Sequence, residues 1–111
     1  MQKCFRLTNS KSFDIIYKKG KGVSEESMTL ITLASKYSNI KAGFVAGKKV
    51  GKSVTRNRVK RRMKEAFRLM LPRISRGYSY ILVAKALAAT LNYHEIASVI
   101  ERLLSAAGKL K

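Results

Sequence analysis

At 111 residues the chain suits a single domain (1–111) with a modest core, and its formal net charge of +18 sets it apart from ordinary globular chains. Lys and Arg number 24 against 6 acids, a balance that implies an anionic partner, nucleic acid first and an anionic membrane surface second. No apolar run approaches a membrane span and no signal-peptide pattern opens the sequence; Cys4 is the single cysteine, which excludes an internal disulfide and a zinc cluster, so a cytoplasmic address is expected.

Residues 1–8 read as an extended basic arm. Asn9 or Ser10 can cap a short helix running to about Lys18, closed by Gly20. Phe13, Ile16 and Tyr17 share one face of it at i, i+3, i+4. Ile16 suits packing on a sheet, whereas Phe13 and Tyr17 fit either packing or the stacking of unpaired bases. Lys21–Ser27 reads as a short edge strand or an irregular connection, Met28–Ser35 as a central strand and Lys36–Ile40 as a polar turn. Lys41–Ala46 is the next strand, expected to form a hairpin with its predecessor. Gly47–Lys52 is a loop whose glycines permit close backbone approach to a phosphate, a weak signal by itself and not a Walker sequence.

Residues 48–64 are the most informative stretch: nine of these seventeen positions are Lys or Arg and none is acidic. Ser53 or Thr55 can cap a helix here, and Pro72 supplies a stop. Between them, from about Val54 to Leu71, the apolar residues Val59, Met63, Ala66, Phe67, Met70 and Leu71 form one helical stripe. At 100° per residue, Asn57, Arg61, Lys64 and Arg68 fall on the opposite face, with Arg58 and Arg62 along a flank. A charged surface helix normally interleaves acids for i,i+4 pairing, and only Glu65 is available for that. A polyanionic partner would relieve the self-repulsion, so nucleic acid is favoured over a merely solvated face.

Arg73–Gly77 then reads as a turn, and Tyr78–Ala84 as a nearly continuous apolar strand buried on both sides. Residues 85–91 connect it to a last helix, opened by a capping box of Asn92 with Glu95. Its core stripe is Ile96, Val99, Ile100, Leu103, Leu104 and Ala107, with Gly108 as the stop. The order α-β-β-β-α-β-α describes an α+β two-layer sandwich on about four strands.

A catalytic apparatus in the polypeptide is not expected. The acids are Asp14, Glu25, Glu26, Glu65, Glu95 and Glu101, and none lies between Glu26 and Glu65. Adjacent Glu25 and Glu26 would diverge in an extended segment, Glu95 is used as a cap, and His94 reads as a surface residue. No Cys/His spacing suggests a metal site, and no cofactor is implied.

The stretch G-F-V-A-G-K-K-V-G-K-S-V-T-R-N-R-V-K-R-R-M-K-E-A-F-R, Gly43–Arg68, resembles the signature of the bacterial ribonuclease P protein component, including its Arg56-Asn57-Arg58 core. The flanking elements are similar in order, so the resemblance covers nearly the whole chain. It implies a left-handed crossover around the basic helix, and a holoenzyme in which an RNA subunit, using Mg²⁺, removes the 5′ leader of precursor tRNA. It also implies a non-catalytic protein subunit that binds the catalytic RNA and holds the leader, with no obligate protein partner and no membrane. By resemblance, Arg56, Asn57, Arg58, Arg61, Arg62, Lys64 and Arg68 would meet the catalytic RNA. Phe13, Tyr17, Lys48, Lys52 and Lys85 would hold the leader, in a groove between the first helix and the sheet. Ala46, Gly47 and Ala86 depart from the family pattern beside that groove. Rival readings are a general RNA- or DNA-binding module, a peripheral membrane or calmodulin-target-like protein, and a protein-only nuclease.

Overall fold

The computed structural model describes the backbone of residues 10–35 and 40–111, and the side chains of those residues from Asp14 onward. Its elements are α1 (Ser10–Lys19), β1 (Lys21–Ser24), β2 (Met28–Ala34), β3 (Lys41–Ala46), α2 (Ser53–Met70), β4 (Tyr78–Ala84) and α3 (Tyr93–Ala106). This is the α+β order read from the sequence. The basic arm with Cys4, the capping candidate Asn9, most of the turn before β3, and the Phe13 side chain lie outside the described residues; Ser10, the other candidate, is already the first residue of α1.

The four strands stand in the order β1-β2-β4-β3. β2 pairs antiparallel with β4 from Met28 opposite Ala84 to Ala34 opposite Tyr78, and β3 runs parallel to β4. The expected hairpin between the strands of Met28–Ser35 and Lys41–Ala46 is therefore not formed, because β4 lies between them. The reason is burial. β4 buries Tyr80, Leu82 and Ala84 toward one face and Ile81 toward the other, so it loses most contact with water at a central position flanked on both edges. A parallel neighbour cannot be reached by a tight turn, and α2 supplies the crossover from β3 to β4. β1 is the edge strand, paired antiparallel with β2.

On one sheet face, Met28, Leu30, Ala42, Tyr80, Leu82 and Ala84 meet the stripes of both long helices. α2 contributes Val59, Met63, Ala66, Phe67 and Met70; α3 contributes Ile96, Val99, Ile100, Leu103 and Leu104. The expected stripe members Leu71 and Ala107 are half-buried at the rim. The Phe67 ring lies 5.7 Å from both Phe44 and Tyr80, and the buried Tyr80 hydroxyl donates to the Ser75 carbonyl at 2.6 Å. The other face, which carries Ile31 and Ile81, is covered by α1 through buried Ile16.

Gly20 ends α1 for a different reason from the left-handed closure that its position suggested, since its φ is not positive. A Cβ there would lie 2.5 Å from the Ile16 carbonyl oxygen and 2.6 Å from Ile31 Cγ2, so only glycine lets the helix end rest on β2. Neither Ser53 nor Thr55 caps α2. Lys52 holds the N-cap position with no side-chain cap bond, because the Arg56 amide already donates to the Lys52 carbonyl at 2.9 Å and Ser53 is thereby inside the helix. Leu71–Arg73, with Pro72, forms the 3-10 turn that ends α2. The capping box is formed as read: the Glu95 amide donates to Asn92 Oδ1 at 2.9 Å and the Asn92 amide to Glu95 Oε1 at 3.0 Å. Gly108, at φ 72°, closes α3, with the Gly108 amide on Ser105 and the Lys109 amide on Leu104.

Candidate nucleic-acid interface

Burying the Val59–Met70 stripe fixes the rotation of α2, and so decides where each of its cations points. Asn57 and Arg61 are exposed, and with Lys60, Lys64 and Val54 they line an open depression along the outer side of the helix. Lys60 is a member that the sequence reading left out. Positions 57, 60, 61 and 64 follow the same i, i+3, i+4, i+7 rule as an apolar stripe, so the signal for it was present.

The other arginines of the row are partly committed within the protein. Arg56 is half-buried and donates through Nη2 to the Ser53 hydroxyl at 3.2 Å. Arg58 and Arg62, one turn apart on the flank, reach across to the connection between β4 and α3. Arg58 Nη2 lies 3.4 Å from the Ala89 carbonyl oxygen, and Arg62 Nη1 donates to the Leu91 carbonyl at 2.8 Å. The Nε atoms of Arg56 and Arg58 are buried without an acceptor, a costly arrangement for a cationic group. Arg68 is paired side-on with Glu65, whose carboxyl its hydrogen bonds hold below the usual range.

A second group gathers where β3 and β4 end together. Ala46 and Ala84 are in register, so Gly47–Lys48 and Lys85 leave the sheet side by side. The chain continues through a 3-10 turn, Lys48–Val50, which packs on a second one, Ala86–Thr90, with Val50 and Ala88 buried. Gly51 then turns at φ 145° and Lys52 opens α2. Lys48 and Lys52 are exposed beside an N-terminus that no side chain caps, where the helix dipole adds to their field. Lys85 is exposed yet anchored, its Nζ donating to the Glu25 carbonyl at 2.8 Å. The Glu25 carboxylate in turn accepts two bonds from Arg102, at 3.0 and 2.9 Å, which hold it below the usual carboxylate range. Tyr17 stands on α1, 45% exposed, its hydroxyl pushed up by partial burial. The structure thus brings Lys48, Lys52 and Lys85 to one end of the sheet. Tyr17 stands on α1, the helix that covers the sheet face opposite α2.

Among the described residues, no three His, Cys, Asp or Glu side chains converge as metal ligands. His94 is exposed beside the Tyr93 ring. No helix among the described residues is long and apolar enough to cross a membrane.

The family model for ribonuclease P matches residues 1–108. The ribonuclease P protein component of Symbiobacterium thermophilum is 35% identical over 112 residues, an alignment covering 100% of this chain and 97% of the relative. That of Alkaliphilus oremlandii is 38% identical over 99 residues, 89% of this chain and 87% of the relative. Among solved structures, the Staphylococcus aureus RNase P protein superposes with a TM-score of 0.89 at 27% identity, covering 96% of this chain and 98% of that one. A mutant of the same protein, described as defective in mRNA degradation activity, gives 0.91 at 28% identity, covering 97% and 92%.

Proposed function

The chain belongs to the ribonuclease P protein family, and from that premise we propose that it is the RNA-binding protein subunit of a ribonuclease P ribonucleoprotein. In this reading it binds the catalytic RNA and the 5′ leader of precursor tRNA, and so assists endonucleolytic release of the mature tRNA 5′ end. The observation that carries the reading is the two-sidedness of α2. Its back is locked in the core, while Asn57, Lys60, Arg61 and Lys64 line one outward depression. Arg56 and Arg58 complete that surface. Guanidinium forks suit bidentate phosphate contacts, and Asn57 can bond to backbone or base edges. Arg68 would join only on releasing Glu65.

The leader falls to Lys48, Lys52 and Lys85, with Tyr17 and Phe13 as stacking rings. Stacking and phosphate contacts tolerate any sequence, as a subunit serving many leaders requires. Bond breaking is assigned to the RNA subunit with Mg²⁺.

Reconstitution with a bacterial ribonuclease P RNA and a leader-bearing tRNA tests the reading. The expected result is faster leader removal at low Mg²⁺ when the chain is added. Binding without stimulation would instead indicate a general RNA-binding module. Because one similar protein is described by an mRNA degradation activity, the RNA-free chain should also be incubated with an mRNA; cleavage there would move the active site into the polypeptide.

A further inference from the structure

Arg62 is an arginine of α2 whose guanidinium makes a short hydrogen bond to a distant backbone segment, 2.8 Å to the Leu91 carbonyl, 29 positions along the chain. Arg58 backs it one turn earlier on the Ala89 carbonyl, at 3.4 Å. These two carbonyls sit at the C-terminal end of the 3-10 turn Ala86–Thr90, where a cation is electrostatically favoured. The segment they hold has Lys85 at its start and the Asn92 cap of α3 just beyond its end. Lys85 is fixed from its other side as well, through its ammonium on the Glu25 carbonyl and the Arg102 pair on the Glu25 carboxylate. The same segment packs on the Lys48–Val50 turn that leads into Lys52. One strut therefore joins the helix carrying the RNA-facing row to the sheet end carrying the three lysines.

From this geometry we infer that Arg62 is a positioning residue and not a phosphate ligand: its bond to Leu91 sets the sheet-end lysines relative to the α2 surface, so that leader and catalytic RNA are held in one register. The inference deepens the function proposed above and rests on it. Two consequences separate it from a direct contact. A residue that neutralises a phosphate contributes about 0.7–0.9 to the slope of log affinity against log salt, whereas a strut contributes nothing. A strut also restrains residues 85–91 in the free protein, before any RNA is present.

The test compares the full-length wild type with Arg62→Met, which keeps the aliphatic stem, Arg62→Lys, and Arg61→Ala as the phosphate-contact control. Expected for Arg62→Met are an unchanged salt slope for ribonuclease P RNA and a loss of about tenfold in the preference for leader-bearing over mature tRNA, the scale of one hydrogen bond to a charged group. Arg61→Ala should show the reverse, a shallower slope with the preference kept. Amide exchange at Ala88 and Leu91 in the free chain should quicken in both Arg62 variants. A slope reduced by one phosphate's share, an undiminished leader preference, or unaltered exchange would each overturn the inference. If Arg62→Met fails to fold, Arg62→Lys decides by the exchange rates alone. A wild-type complex with no leader preference would count against the functional reading, while the exchange measurement would still decide the strut.

Discussion

Gly51 shows how much of the site rests on a single backbone conformation. At φ 145° and ψ −164° it occupies a region closed to side chains, and a Cβ would meet Thr55 Cβ and Cγ2 at 3.1 Å. Replacing it strains the turn that delivers Lys48 and Lys52 to the start of α2. Gly51→Ala should lower stability by about 1–3 kcal/mol in urea unfolding. Gly47→Ala, at φ −78° with nothing within 4 Å of a new Cβ, should change it little. The composition of the loop suggested that both glycines matter for close approach, and only conformation separates them. Arg68 teaches a similar lesson. On a helical wheel it belongs with Asn57, Arg61 and Lys64, yet the one acid of that helix, Glu65, lies three residues away and takes it. Removing Arg68 should therefore cost less affinity for the catalytic RNA than removing Arg61.

At the scale of elements, the local signals were legible and the pairings were not. The stripe from Val59 to Met70, the Asn92–Glu95 box and the Gly108 stop depend on residues within a turn or two of one another, and the structure has them all. Asn92→Ala should cost about 0.5–2 kcal/mol, read as a lower thermal midpoint, because two reciprocal bonds at the head of α3 disappear. The hairpin expected between β2 and β3 failed because β3 and β4 find each other across the whole of α2; the crossover there was implied by the family resemblance, and no residue near Lys41–Ala46 announces a parallel partner. The inward reach of Arg62 was hidden for the same reason, its acceptor being a backbone oxygen far along the chain. The Glu25–Arg102 pair that pins α3 to the β1–β2 turn joins residues 77 positions apart and was equally invisible. Its pH behaviour follows from the lowered Glu25 carboxyl. A depressed folded-state value means that the pair's contribution is present above the unfolded value of 4.5 and fades as pH falls through the folded one. Glu25→Gln should lower the urea midpoint slightly at pH 7, and the difference from wild type should shrink below pH 4.5 until the folded carboxyl is protonated.

Across the whole molecule, where Lys and Arg number 24 against 6 acids, the fold sets two groups of cations. One follows the outer side of α2; the other gathers lysines at the end of β3 and β4, with the Tyr17 ring on α1. The core fixes both, because α2 is at once a wall of that core, the crossover between two strands and the carrier of the cation row. In the function proposed here, this arrangement holds two RNA chains at a set spacing. The most direct measurement compares wild type, Tyr17→Ala and Arg61→Ala by equilibrium binding, first to ribonuclease P RNA alone and then, as reconstituted complexes, to leader-bearing and mature tRNA. Arg61→Ala should weaken assembly with the catalytic RNA and keep the leader preference. Tyr17→Ala should assemble normally and lose about 1–3 kcal/mol of that preference. Equal losses by both variants in both measurements would contradict the existence of two separate surfaces.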